Sequence, residues 1–130
     1  MTFTLYATTA VIFLILDAIM LTLVMKPLFT RHIGPLMADP IRIAPAAAFY
    51  LAYVAGLVYL VSLPAIRTGA PLVVPALIIG LMAYGTYEFT SWSIMRDWHW
   101  QMVATDVLWG GALTAVSVWA GVTITKAIHG

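Results

Sequence analysis

Long apolar runs alternate with short, polar, proline-bearing clusters along this chain, and the runs set the expected architecture. They lie near Leu5–Met25, Pro45–Leu63, Pro71–Phe89 and Met102–Thr125. Crossing a hydrocarbon core of about 30 Å takes roughly 20 helical residues, and each run meets that length. The pattern predicts an all-α fold, an integral-membrane four-helix bundle that forms a single transmembrane domain over residues 1–130. Short linkers at residues 26–44, 64–70 and 90–101 leave no room for a soluble domain. Pro27, Pro35, Pro40, Pro45, Pro64 and Pro71 are expected at or outside helix ends, where a missing N–H costs little; only Pro75 falls inside a span, near its first turn.

Small residues recur four apart within the runs: Ala52 with Gly56, Ala76 with Gly80, Gly111 with Ala115, and Ser117 with Gly121. Such pairs let membrane helices approach closely, so they are read as packing residues. None follows a strand in the manner of a phosphate-binding loop.

Composition strengthens the membrane reading. Hydrophobic residues make up 63% of the chain and charged ones 8%, against roughly 45–50% and 25% in soluble domains. Eleven charges (Lys+Arg 6, Asp+Glu 5) cannot clothe 130 residues in water. A net charge of +1 with no basic stripe excludes a nucleic-acid footprint. With no cysteine, disulfides, thiolate metal sites and cysteine nucleophiles are excluded as well. The first run lacks a basic leader and is too long for a signal-peptide core of about 7–15 residues, so it is expected to be a retained span.

Charge also sets the expected orientation. Lys26, Arg31, Arg42 and Arg96 share one side and Arg67 and Lys126 the other, which predicts both termini outside the cytoplasm. Trp92, Trp98 and Trp100 are expected in an interfacial aromatic belt on the more basic side, with Trp119 and Tyr6 marking the opposite interface.

Against this background the acids stand out. Asp39 and Asp97 fall in linkers, whereas Asp17, Glu88 and Asp106 fall in or near spans. At the helical rise, Asp17 is about 13 Å from Lys26, Asp106 about 9 Å beyond Trp100, and Glu88 about 6 Å before Trp92. All three therefore belong to the same half of the bilayer. An ionised acid near mid-helix costs about 2.5–3.5 kcal/mol on insertion scales, so each is expected to be protonated, paired or turned inward. Arg31, Arg42 and Arg96 offer pairing on that side.

Helical spacing supplies the neighbours. Gly80, Tyr84, Tyr87, Glu88 and Ser91 share one face of the third span, and Met102, Asp106, Trp109, Gly110 and Leu113 share one face of the fourth. Meeting faces would form a polar groove lined by aromatic rings. The alternative for each acid is a structural hydrogen bond that locks the bundle. No cofactor follows from the pattern. His32, His99 and His129 lie in linkers or the tail, which removes mid-membrane haem ligation, and nothing in the spacing demands a metal among Asp17, Glu88, Asp106 and His99. No serine sits in a nucleophile-elbow sequence.

The stretches "LDAIML", "HIGPLM", "PAAAFYLAYVAG", "GLMAYGTYEFTSWSIMRDW" and "TDVLWGG" resemble the bacterial membrane proteins called the domain of unknown function 2177 family, almost end to end. The resemblance implies a multi-pass inner-membrane protein with four spans, assigns no reaction, and tilts the ligand toward lipid. Relatives carry Trp where Met20 stands, Asp where Glu88 stands and Asn where Ser91 stands, so acid chemistry persists at position 88 while an amide is lost at 91.

Together these features favour a membrane-embedded binding site made of Asp17, Glu88 and Asp106 and walled by Tyr50, Tyr84, Tyr87 and Trp109. Carboxylates flanked by aromatic rings can hold a polar or cationic head while apolar walls take a tail. The expected partner is a membrane lipid or hydrophobic small molecule. Two rival readings stand beside it. One is an accessory subunit that meets a protein partner or a second copy in the bilayer; the other is a lipid-modifying enzyme that uses paired carboxyls.

Overall fold

The computed structural model describes residues 1–37 and 42–130; Asp39 and Pro40, read above as linker residues, lie outside the described residues. The described chain forms helices α1 (Thr2–Leu36), α2 (Ile43–Thr68), α3 (Val73–Ile94) and α4 (Trp100–His129), each long and apolar enough to cross a membrane. The fold class is the one expected, all-α with four candidate spans. The helices run past the expected limits at both ends, except that α3 starts two residues late at Val73, and the last two linkers shorten to residues 69–72 and 95–99.

Two prolines account for part of the difference. Pro27 and Pro64 do not end helices but sit inside α1 and α2. A proline within a helix lacks its N–H and pushes against the carbonyl four residues earlier. Each helix absorbs this in a widened π-helical turn just upstream, Leu21–Met25 before Pro27 and Val58–Ser62 before Pro64. Pro45, expected at a helix end, lies in the first turn of α2. The chain leaves α2 at Gly69, whose φ of 73° is left-handed and suits a residue without Cβ. At the start of α4, His99 Nδ1 accepts the Gln101 backbone N–H at 3.1 Å, capping the helix.

Helix α4 is the most buried of the four and forms the axis of the bundle. It packs along α3 through glycines. A Cβ on Gly80 would lie 2.8 Å from the Gly111 Cα and would strike the Gly110 carbonyl, while a Cβ on Gly110 would strike the Tyr84 ring. Helix α1 runs antiparallel to α4 on another side. Thr4 meets His129 in a 3.1 Å hydrogen bond, Thr9 presses on Gly121, and Asp17 reaches Trp109. The Thr4–His129 contact also puts both ends of the chain at one end of the bundle. Of the small-residue pairs, those on α3 and α4 lie at helix contacts, whereas a Cβ on Gly56 would meet open space.

Helix α2 is held mainly by its second half. Val54, Leu57, Val58 and Val61 are buried, and Tyr53 shares a 2.9 Å hydrogen bond with Thr114 of α4. Its first turns, from Ile43 to Ala46, stay exposed. Polarity is arranged as lipid solvent requires. Phe3, Leu23, Ile43 and Leu108 point outward, each more than two-thirds exposed (Phe3 81%, Leu23 69%, Ile43 73%, Leu108 68%), while Thr9, Asp17, Ser62, Glu88, Thr114 and Ser117 are buried.

Candidate functional site

Because α2 begins away from the second half of α1, a groove of about 1350 Å³ opens between them, floored by α3 and α4. Pockets for drug-sized ligands usually hold about 300–1,000 Å³, so this space suits a large or elongated occupant. Its apolar walls include Leu14 and Leu21 of α1 and Phe49 of α2, none of which is covered by another helix of the chain over its whole side chain, so the groove is an open one. The widened turn at Leu21–Met25 contributes Leu21, Thr22 and Met25 to one wall.

Five of the residues singled out in the sequence (Asp17, Tyr50, Tyr84, Tyr87 and Asp106) line this groove. Asp17 projects from α1 and is 3% exposed. Its Oδ1 accepts the Trp109 indole N–H at 3.2 Å, and its Oδ2 has no hydrogen-bond partner. Tyr50 stands beside it, with its ring 5.3 Å from that of Phe13. Tyr84 turns inward and its hydroxyl is buried without a partner. Tyr87 is more exposed and stands edge-on to Trp98, with centroids 5.9 Å apart. Asp106 is half-buried and adjoins Glu88.

Glu88 and Trp109 take a different place from the one expected. Neither is part of the groove wall. Glu88 is fully buried behind Asp106, where its Oε1 accepts the Trp98 indole N–H at 3.0 Å and its Oε2 is left without a partner. Trp109 stands behind Asp17 as its hydrogen-bond donor. Two buried acids are thus held by indole N–H groups rather than by arginine. The reason is positional, since an indole is apolar except at one donor and can follow an acid into an interior where a guanidinium would lose its hydration.

Trp98 also departs from its expected place in an interfacial belt. It is 8% exposed and packs with Ile33, Met102 and Val103, with the Phe29 ring 5.4 Å away. Trp92, Trp100 and Trp119 do remain exposed. The sequence does not mark Trp98 as a site residue, because a tryptophan-rich linker reads as a membrane boundary and no helical period reports where a linker side chain turns. Lys26, which the sequence marks only as an orientation charge, and Arg42, which it also offers as a partner for the acids, both line the groove. His32 and His99, also placed in linkers, stack with centroids 4.3 Å apart and planes 9° from parallel, which ties the end of α1 to the segment carrying Trp98. Among the described residues, no three His, Asp or Glu side chains converge in a way that would hold a metal ion.

An apolar exterior and four helices long and apolar enough to cross a membrane define the class, a membrane protein with four candidate spans and a carboxyl-bearing groove among its helices. A family model described as predicted membrane protein (DUF2177) matches residues 2–123, and the chain belongs to that family. Neither the curated proteins nor the solved structures contain a match.

Proposed function

We propose that this protein binds a lipid or another amphipathic small molecule in the groove between α1 and α2. The observation that carries the reading is the meeting of Asp17 and Asp106 with Tyr50 and Tyr84 in one space of about 1350 Å³ whose other walls are mostly apolar, with Lys26 and Arg42 as the exceptions that carry charge. Apolar walls with a few convergent polar groups are the usual make-up of a small-molecule site. Acids in a membrane interior are costly and tend to mark such sites. The protein is placed by this proposal in the bacterial inner membrane, with the groove mouth and the Lys26, Arg31, Arg42 and Arg96 side facing the cytoplasm and both termini on the far side.

The test is native mass spectrometry of protein purified in mild detergent, run beside lipid profiling of cells that carry Asp106→Asn. A retained adduct of defined mass, reduced in the variant, supports binding. Absence of any adduct together with an unchanged lipid profile refutes it.

The adjoining Glu88 and Asp106 carboxyls favour one alternative, a lipid-modifying enzyme in which one acid donates a proton and the other accepts one. A deletion strain distinguishes the two readings. An enzyme's loss accumulates one defined precursor, whereas loss of a binding protein changes lipid amounts without blocking a step.

A further inference from the structure

We infer that the occupant of the groove is a membrane lipid with an anionic headgroup, its head held by Lys26 and Arg42 and its body running inward toward Tyr84 and Asp17. The inference rests on the lipid-binding reading above and adds the sign of the head.

The groove has its two signs of charge at separate levels. Lys26 on α1 and Arg42, directly ahead of α2, come from different elements and line the same groove. Both are exposed. Lys26 stands level with the start of α4, because its neighbours Val24 and Pro27 share a small depression with Trp100 and Gln101, and an exposed tryptophan at a span end belongs at the bilayer surface. Asp17 lies about 13 Å deeper along α1 by the helical rise. A cationic head at the mouth would face two like charges. To reach the acids it would have to shed its water and travel that depth into the bilayer, leaving its tail at the wet end.

An anionic head meets none of these costs. At the mouth it stays hydrated and gains a guanidinium, which can grip a phosphate through paired N–H bonds, together with an ammonium from the facing helix. Its chains then occupy the apolar space beside Leu14 and Leu21, which opens sideways to the bilayer. The deep polar groups fit the remainder of such a molecule. Asp17 Oδ2 and the Tyr84 hydroxyl are both buried, both belong to groove-lining residues, and neither reaches full hydrogen-bond geometry although the Tyr50 side chain stands beside both. A side-chain rotation that uncovers them would let the Tyr84 O–H donate to an ester carbonyl and Asp17 accept from a lipid hydroxyl. Unpaired polar atoms in such a place are uncommon in folded interiors and call for a partner.

Native mass spectrometry of delipidated full-length protein, titrated with phosphatidylglycerol, phosphatidylcholine or hexadecyltrimethylammonium, tests this directly. Wild type should bind phosphatidylglycerol at least about tenfold more tightly than phosphatidylcholine. K26Q/R42Q should lose that preference while still binding phosphatidylcholine. R31Q/R96Q removes two charges of the same side that lie off this groove and should keep the preference. Circular dichroism confirms that each variant is folded. Equal binding of phosphatidylglycerol and phosphatidylcholine, stronger binding of the cationic amphiphile, or equal loss in R31Q/R96Q overturns the anionic assignment and leaves the groove reading standing. Displacement of the lipid by millimolar inorganic phosphate overturns the lipid as source of the anion. Failure of wild type to bind any of the three amphiphiles overturns both proposals.

Discussion

Trp98 and Glu88 form a buried pair in which a linker residue reaches down to a membrane-embedded acid, indole Nε1 to carboxyl Oε1 at 3.0 Å. The pair connects two levels of the molecule. Trp98 packs against Ile33 at the end of α1 and Met102 in α4, and Glu88 adjoins the groove residue Asp106. The linker between α3 and α4 therefore sets the position of an acid that itself backs the candidate site.

Removing the indole donor should cost stability. Trp98→Phe takes from Glu88 Oε1 its indole donor, and an unsatisfied buried polar group costs about 1–3 kcal/mol. Replacing both partners by apolar groups avoids most of that penalty. Trp98→Phe/Glu88→Leu should therefore be more stable than Trp98→Phe alone when thermal unfolding is followed in detergent. Strict additivity of the two single variants would show that the pair contributes no coupling.

Glycine positions give a prediction of opposite signs. Gly80→Ala would push a methyl group to 2.8 Å from the Gly111 Cα, and neighbouring backbone cannot swing aside as a flexible side-chain tip can. Its melting temperature should fall by several degrees. At Gly56 the same methyl meets nothing within 4 Å. There the gain in helix propensity, about 1 kcal/mol for alanine over glycine, should leave stability unchanged or raised. Equal destabilisation by both substitutions would contradict the α3–α4 packing described.

Helix number and the convergence of acids were readable from the chain because each rests on a period. Apolar runs of spanning length give α1 to α4, and the spacing of Gly80, Tyr84 and Glu88 against Asp106 and Gly110 predicts which faces of α3 and α4 meet. Three features were not readable, each for a local reason. Pro27 and Pro64 look like helix ends because a proline's missing N–H is cheapest there; that a π turn absorbs it inside a longer helix depends on packing. Trp98 sits where no repeat operates. Lys26 belongs to α1 and Arg42 directly precedes α2, and their shared groove depends on how far α2 stands off α1, a distance that no single-helix pattern contains.

The antiparallel seating of α1 on α4 can be checked chemically, helped by the absence of native cysteine. A Cβ built on Gly121 lies 3.1 Å from the Thr9 Cβ, a little under the usual separation of about 3.5–4.5 Å in a disulfide. Thr9→Cys/Gly121→Cys in membranes should cross-link within one chain on mild oxidation and speed migration in a denaturing gel. Thr9→Cys/Leu108→Cys, which pairs Thr9 with an exposed position on α4, should not. Cross-linking of both pairs to the same extent would indicate a mobile or differently packed α1.

Asp17 and Asp106 share the groove but differ in what holds them, and their variants should differ accordingly. Asp17 is nearly fully buried and one of its oxygens accepts the Trp109 N–H. Trp109→Phe removes that donor and should destabilise the bundle by about 1–2 kcal/mol, toward the lower end because membrane interhelical hydrogen bonds tend to be weak. Asp106 is half-buried and faces the open groove. Asp106→Asn keeps its shape and a carbonyl acceptor, so the melting temperature should stay within about one kcal/mol equivalent of wild type. What the amide lacks is an ionisable proton, and a lipid or proton bound through the carboxyl would feel that loss. The two measurements, melting temperature in detergent and amount of co-purifying lipid, therefore separate the roles. Loss of lipid with an unchanged melting temperature marks Asp106 as part of a site. A fall in melting temperature with lipid retained marks it as a strut between α3 and α4, and the groove would then have to hold its occupant by Asp17, the tyrosines and the charges at its mouth.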